Sequence, residues 1–489
     1  MKGDYTINLN IDNLKIALLT DFYEFTMANS IFQSDLCNTI AYFDMFFRKN
    51  PDNAGFAIMA GLETLIEFLK NFNFSKEDIL YLRSLQIFDD NFLKYLENFK
   101  LTCDIWAIPE GTPIFPGEPI LTVRGPYIQA QLIETLILLI INHQSLIATK
   151  ANRIVRAANG RDVFEFGARR ALGSDSALYG TRAAFIGGCS GTSLTLAAKK
   201  FGIPISGTMS HSYIQLFDNE LDAFKNYAKK YPENCMLLVD TYDTIKSGIK
   251  NAIKVFNEEL VPKGIRPLGI RIDSGDITYL SKKARHILDE AGFKDCKICV
   301  SNSLDEYLIR DMLIQGAEID CFGVGEKLIT SASNPILGGV YKLSSIEKNN
   351  TYIPKIKVSE NTEKITTPCF KNVYRLLDNK TKKFVADLIT LRDEEIDSSS
   401  PYEIFDPDNT WKRKVIDNFT TIKLQKMIFN KGNCCYKSPS IKDTQLFCKQ
   451  QVSMLWEEIT RFQSPHKYCV DLSQKLWNIK KELLLKNKL

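Results

Sequence analysis

The sequence has no excess of charge of either sign: 62 Lys and Arg stand against 58 Asp and Glu, a formal net charge of +4 over 489 residues. Balance of that kind gives no argument for a nucleic-acid or membrane surface, so any anion site must be local. There is no uninterrupted apolar run long enough to cross a membrane. The greasiest window, Gln131 to Ala148, is broken by Glu134, Asn142, His143 and Gln144, and is expected to be a buried helix rather than a membrane span. Met1-Lys2-Gly3-Asp4-Tyr5 carries an acid and is followed by no long apolar core, so export is not expected. The twelve cysteines have no regular spacing, which points to free thiols in a reducing compartment, and the cytoplasm is the expected location. Cys296-x-x-Cys299 lacks a second pair to complete four ligands, so it is read as structural rather than as zinc. No internal repeat is present, and histidine is scarce, with four in the whole chain.

What is there is ordinary globular composition, 45% hydrophobic and 25% charged. Apolar residues recur at three- and four-residue steps over Ile16 to Ser30 and Gly61 to Asn71, predicting helices. Short runs broken by Gly and Pro between Asp104 and Val123 predict a small sheet, and a long helix is expected from about Tyr127 to Asn159. Beyond Gly160, short apolar strands alternate with helical segments. The expected strands are 163–166, 184–187, 203–206, 236–239, 268–272, 297–300 and 319–322. Alternation on this scale predicts βα units in a parallel sheet, closed as an irregular barrel of seven or eight strands. The expected organisation is α/β: an N-terminal α+β domain (1–150) to which residues 345–400 return, a barrel (151–344), and a mostly helical C-terminal extension (401–489).

Each expected strand stops in polar or glycine-rich chemistry, and a barrel gathers such ends on one face around a single pocket. The third delivers Gly207-Thr208-Met209-Ser210-His211, an imidazole among small hydroxylated residues. Taken alone, His211 reads first as a hydrogen-bonded core or loop histidine. Phe166 alone is ordinary strand core. Asp273 and Asp276, in Asp-Ser-Gly-Asp, also fit a helix N-cap or Asx turn.

Taken together, in order and spacing, Leu18-Leu19-Thr20-Asp21-Phe22-Tyr23, Phe43 to Arg48, Glu165 to Arg170, the His211 segment, Arg271 to Asp276, Ser301-Asn302, Gly338 to Lys342 and Ser464 to Leu472 resemble nicotinate phosphoribosyltransferases over nearly the whole chain. The resemblance implies an enzyme that joins nicotinate to phosphoribosyl pyrophosphate with release of pyrophosphate. It further implies ATP hydrolysis coupled through a phosphohistidine, Mg2+ carried with the substrate phosphates, and a homodimer with shared active sites. By resemblance His211 is the phosphorylated residue, and Asp273 holds the ribose hydroxyls or the magnesium side of the donor. Phe166 and Tyr23, the latter from the partner subunit, sandwich the pyridine ring, while Arg169, Thr208 and Arg271 contact nicotinate.

Gly323 and Gly325 with the backbone of Glu326 resemble the phosphate cradle, although Glu326 stands where relatives commonly carry threonine. A carboxylate there repels phosphate, so either only its N–H is used or the phosphate sits differently. Arg48 and Lys49 either meet pyrophosphate across the dimer or form a solvated basic face. No protein side chains are assigned as metal ligands.

Two rival readings remain. A nicotinamide phosphoribosyltransferase would share His211, Arg271 and Asp273 but needs an acid near the second strand end, where this chain has Cys189-Ser190-Gly191-Thr192-Ser193. Hydroxyls there suit a carboxylate ligand. A non-catalytic binder of NAD precursors on a retired enzyme fold is the other, and the survival of His211, Arg169, Arg271 and Asp273 counts against it. A type I phosphoribosyltransferase is excluded because Val239-Asp240-Thr241-Tyr242-Asp243 lacks paired adjacent acids and a Thr/Gly phosphate loop.

Overall fold

The computed structural model describes residues 16–349 and 351–486; the N-terminal pentapeptide and Asn350 lie outside them. The chain divides into two compact units, one made of residues through Leu146 together with Ile336 onward, the other of Ile147–Pro335.

The first unit is built on a seven-stranded sheet, in the order Thr351–Pro354, Gly339–Lys348, Ile40–Phe47, Leu121–Pro126, Asp104–Ala107, Lys426–Asn430, Asn433–Cys434. Its core is rich in phenylalanine: Phe25, Phe74 and Phe99 meet edge-on at centroid spacings of 5.7–6.0 Å, the favoured geometry for aromatic pairs. A second sheet of four strands runs Phe419–Lys423, Lys371–Asp378, Phe384–Leu391, Val470–Leu472. At its centre Arg375 and Asp387 are both fully buried as an ion pair. The ring centroids of Phe115 and Phe384 lie 5.3 and 4.9 Å from the guanidinium carbon, and Tyr468 Oη donates to Asp387 at 3.0 Å.

These strands correct the expected C-terminal helical extension. Residues 402–434 contribute Tyr402–Phe405, Arg413–Ile416, Phe419–Lys423, Lys426–Asn430 and Asn433–Cys434, and only Ile441–Ser453, Glu457–Thr460 and Gln474–Lys486 are helical. The cause is local: Phe419-Thr420-Thr421-Ile422 is β-branched and aromatic, and its charge-rich flanks disguised a strand as a surface helix.

Tyr127–Leu132 and Glu134–Ala157 form the long helical stretch. By length and hydropathy 127–157 reaches what a membrane crossing needs, further than the sequence reading allowed. Yet 72% of its most apolar window is buried in protein, as a core helix requires.

The second unit carries six parallel strands side by side: Gly191–Thr192, Asp162–Glu165, Cys321–Val324, Lys297–Ser301, Gly269–Ile272, Met236–Leu238. A single bridge from Thr192 to Ile205 extends the first of them. The first strand in sequence therefore pairs with the last, so the spatial order is cyclic, although no ladder joins Ile205 to Met236–Leu238 among the described residues. Six of the seven expected strand regions pair in the sheet or the bridge. Residues 184–187 do not: they end the buried helix Ser174–Ile186, and the second strand begins at Gly191. A short apolar run has no periodicity to separate a buried strand from a buried helix turn, which is why the sequence misplaced it.

Candidate active site

The C-terminal ends of the parallel strands hold a hydrogen-bonded web whose hub is Asp240, two residues past Met236–Leu238. Its side chain is 1% exposed. His211 Nε2 lies 3.3 Å from Asp240 Oδ1, while Oδ2 accepts from Asp273 N at 3.0 Å and Ser274 Oγ at 2.6 Å. A carboxylate that accepts on both oxygens is fixed in place, and it fixes the imidazole. With Nε2–H given to Asp240, the ring's lone pair stands on Nδ1, and His211 is only half-buried. Ser301, at the end of Lys297–Ser301, donates its hydroxyl to Asp273 Oδ1. Asp276 is a helix cap, accepting from Tyr279 N at 3.0 Å at the head of Ile277–Glu290.

Arg271, on Gly269–Ile272, reaches the segment that delivers His211. Its two terminal nitrogens donate to Thr208 Oγ1 at 2.8 Å and Met209 O at 2.9 Å. Thr208 accepts from the guanidinium and keeps its own hydroxyl hydrogen to give. The buried Nε of Arg271 has no partner.

Phe166 follows the strand Asp162–Glu165, and its ring lies over Gly323. A Cβ on Gly323 would stand 2.5 Å from the ring's Cδ2, so only glycine admits the ring there. Gly167 is equally constrained, since a Cβ there would meet Gly325 O at 2.6 Å. Buried Glu165 organises the turn: it accepts from Gly167 N, Thr181 Oγ1 at 2.9 Å and Thr192 Oγ1 at 2.8 Å. Burial pushes its carboxyl above the usual range, and those three donors oppose the shift. Arg169, in the short 3-10 turn Ala168–Arg170, is exposed.

Ser190 spends its hydroxyl hydrogen on exposed Asp162 at 2.7 Å, and Thr192 gives its own to buried Glu165 at 2.8 Å. Those two hydroxyls are thus committed to carboxylates of the chain itself, and of the three at the second strand end only Ser193 is exposed without such a bond. Gly325 precedes the short helix Glu326–Ile329, where the exposed Glu326 carboxylate leans to within 3.8 Å of Arg170 Nε. That pairing draws the negative charge sideways, while Lys327 Nζ is held by Asp305 at 2.6 Å.

In the other unit, Tyr23 stands at the head of the helix Phe22–Phe32, 47% exposed. Partial burial and its acidic neighbours Glu134, Glu24 and Asp21 push its hydroxyl up to about 12, so the phenol is neutral. A cavity of about 990 Å³ in this unit is lined in part by Arg48, Lys49, Lys342 and Lys371. Lys49 pairs with Glu363 at 3.1 Å and Lys371 with Asp44 at 2.6 Å. Among the described residues no group of three or more His, Cys, Asp or Glu is arranged to hold a metal.

Residues 18–142, 162–388 and 370–480 match, in turn, models of the nicotinate phosphoribosyltransferase N-terminal domain, the nicotinate phosphoribosyltransferase family and the C-terminal domain. The nicotinate phosphoribosyltransferase of Bacillus subtilis is 44% identical over 465 residues, covering 95% of this chain and 94% of that one. The chain belongs to the nicotinate phosphoribosyltransferase family. The mouse relative of the same name is 30% identical, covering 94% of this chain and 95% of its own length. The crystal structure of human nicotinic acid phosphoribosyltransferase has a TM-score of 0.83 at 27% identity, covering 95% of this chain and 100% of that one.

Within this nicotinate phosphoribosyltransferase family member, the structure links His211 to Asp273 through Asp240, Thr208 to Arg271, and Phe166 to Gly323. Asp240 and Glu165 were not singled out from sequence as site residues. The signal for Asp240 was present, since an acid directly after Met236-Leu237-Leu238-Val239 is what a strand-end hub looks like. For Glu165 there was none beyond its place in the motif Glu165 to Arg170, because its partners lie 2, 16 and 27 residues away.

Proposed function

We propose that this chain joins nicotinate to 5-phosphoribosyl 1-pyrophosphate, giving nicotinate mononucleotide and pyrophosphate, with ATP hydrolysis coupled through a phosphohistidine at His211. The observation that carries the ATP-coupled step is the Asp240 hub, which orients the imidazole and leaves Nδ1 as nucleophile. In that step an Nδ1–P bond forms to the γ-phosphorus and the P–O bond to ADP breaks. Asp240 balances the positive charge that develops on the ring. The pyridine nitrogen then attacks C1′ of the ribose as its bond to pyrophosphate breaks, and water later takes the phosphoryl group from His211.

Phe166 supplies one stacking face, and Tyr23 of a second copy the other. Arg169 suits the nicotinate carboxylate because a guanidinium binds carboxylate with two parallel hydrogen bonds, and Thr208 keeps a hydroxyl hydrogen to add. Arg271 holds the Thr208–Met209 segment in place. Asp273 faces the ribose hydroxyls, and Gly325 with the Glu326 N–H is the proposed phosphate contact; Gly323 makes room for the ring. Mg2+ commonly takes one or two carboxylates plus substrate phosphates, and Asp273 fits as such a ligand. When bound, the ion neutralises charge on the departing pyrophosphate. The cyclic strand order supports an irregular barrel of seven or eight strands around this site, and the proposed enzyme works as a cytoplasmic homodimer with shared active sites.

The test compares nicotinate, nicotinamide and quinolinate for donor-dependent pyrophosphate release, with and without ATP. Reaction of nicotinate, stimulated by ATP, is expected. Reaction of nicotinamide alone would favour the amide-specific reading, and nicotinate binding without turnover the non-catalytic one. His211→Ala should abolish ATP stimulation and acid-labile phosphorylation while leaving slow ATP-independent product formation. A variant that keeps full coupling would refute the assignment.

A further inference from the structure

Two thiols stand opposite one another on the parallel sheet of the second unit, and no step of the proposed reaction uses them. Cys299 on Lys297–Ser301 and Cys321 on Cys321–Val324 are partners in register, as are Ser301 and Gly323 two residues further along the same two strands. Arg271 is the register partner of Cys299 on its other side. Both cysteines are free.

Registered residues on adjacent strands are about 4.8 Å apart, inside the Cα range that a disulfide bridges, roughly 4.4–6.8 Å. Both side chains belong to one buried cluster with Met236. The Cys321 thiol holds Cys299 below the usual thiol range against the effect of burial, helped by the Arg271 guanidinium, and Cys321 is pushed up in return. The Arg271 guanidinium stands in register beside Cys299, and a neighbouring cation favours the thiolate that an attacking thiol needs. Access is narrow but not closed: Cys299 and Cys321 are 3% and 4% exposed, and the neighbouring Phe164 is only partly buried.

We propose that Cys299 and Cys321 form a reversible disulfide on exposure to hydrogen peroxide, and that the crosslink weakens the site above it. The Cys299 thiolate attacks one peroxide oxygen, the O–O bond breaks, hydroxide leaves and a sulfenic acid forms. The Cys321 sulfur then attacks the sulfenic sulfur, its proton leaves with the hydroxyl as water, and the S–S bond closes. Overall two thiols lose two electrons and two protons, and one peroxide becomes two waters.

The strain is delivered to specific contacts. Drawing the strands together at the 299–321 rung shifts the 301–323 rung on the same face. Ser301 there holds Asp273, and Gly323 there lies beneath the Phe166 ring. A displacement of a fraction of an ångström in groups that position substrate is expected to lower kcat/KM for nicotinate on the order of tenfold. Only that readout rests on the proposed function; the crosslink is detected chemically.

The whole protein is treated with hydrogen peroxide, remaining thiols are alkylated, and the non-reduced tryptic digest is analysed by mass spectrometry. The expected product joins the peptide 298–310 to the peptide 311–327, two hydrogens lighter than their sum; Cys296 falls in a different peptide. Dithiothreitol should abolish it and restore activity. Cys321→Ser should be active and resist peroxide, whereas Cys235→Ser, which alters a fully buried thiol outside the pair, should remain as sensitive as the parent. Absence of the 298–310/311–327 crosslink would overturn the proposal, as would Cys321→Ser losing activity at the parental rate. A crosslinked enzyme of unchanged kcat/KM would overturn the coupling to the site.

Discussion

Replacing Asp240 with Asn tests whether the hub sets the chemistry of His211 or only its position. Asparagine keeps the shape of the side chain but has one oxygen where aspartate has two. Two donors, Asp273 N at 3.0 Å and Ser274 Oγ at 2.6 Å, converge on Oδ2, so the amide oxygen is held on that side and the NH2 turns to His211. An N–H facing Nε2 forces the ring proton onto Nδ1, removing the lone pair that would attack phosphorus. Loss of the charge-assisted hydrogen bond alone is worth about 1.5–3 kcal/mol, on the order of 10- to 100-fold in rate. Reversal of the tautomer adds to this, and the same change in a Ser-His-Asp triad lowers turnover about 10⁴-fold. Phosphorylation of His211 in Asp240→Asn is therefore expected to fall between about 10² and 10⁴, measured as acid-labile phosphate incorporated from labelled ATP. ATP-independent product formation should drop much less, and thermal unfolding should be nearly unchanged because the Oδ2 contacts survive. A variant that phosphorylates within about tenfold of the parent would refute the tautomer argument.

Other consequences are independent of that hub. Gly323→Ala places a methyl 2.5 Å from the Phe166 ring and should displace it, raising KM for nicotinate about 2- to 10-fold, the worth of a lost aromatic stack; an unchanged KM would remove Phe166 from the ring site. Arg375→Met strands fully buried Asp387 beside Glu118, whose carboxyl burial and Asp387 already push well above its usual range, and should cost about 3–5 kcal/mol in urea unfolding. A loss under about 1 kcal/mol would mean that the pair is solvated. Glu24 is fully buried, and burial raises its carboxyl to about 8, well above its unfolded value of about 4.3. The folded state thus holds a proton the unfolded chain gives up, and this stabilisation is present at low pH and lost as pH rises through about 8. Glu24→Gln should be less sensitive than the parent to a change from pH 5 to pH 9, and identical pH dependence would refute the assignment.

Sequence reading went furthest where chemistry and periodicity agreed. The alternation beyond Gly160 located six strand regions because parallel strands buried on both faces are short apolar runs between helices. It failed at Ala184-Phe185-Ile186-Gly187, where the apolar run is one buried turn of the helix Ser174–Ile186 and length alone carried no information. It failed again after Tyr402, because the strands Tyr402–Phe405 and Arg413–Ile416 pair with each other over exposed charged positions, so their alternation is weak. Among the residues expected at the site, His211, Thr208, Phe166 and Arg271 could be singled out because each belongs to a contiguous motif. Asp240 stood in view after its strand and Glu165 inside a motif, but their roles show only in the donors that folding brings to them, Asp273 N and Ser274 to the one, Thr181 and Thr192 to the other.

That difference follows from how a strand-end site is made. Each motif residue is held by a group outside its own motif: His211 by Asp240, Thr208 by Arg271, Phe166 by Gly323, Asp273 by Ser301. The holding groups lie 29, 63, 157 and 28 residues away in sequence, yet all sit on strand ends gathered by one parallel sheet. Each pair therefore couples two strands, and the register of the sheet sets the geometry of the site. A change that preserves every motif residue but slides one rung, such as a bond between Cys299 and Cys321, should then disturb binding as surely as the loss of a motif residue, and a change in a helix that leaves the rungs fixed should not.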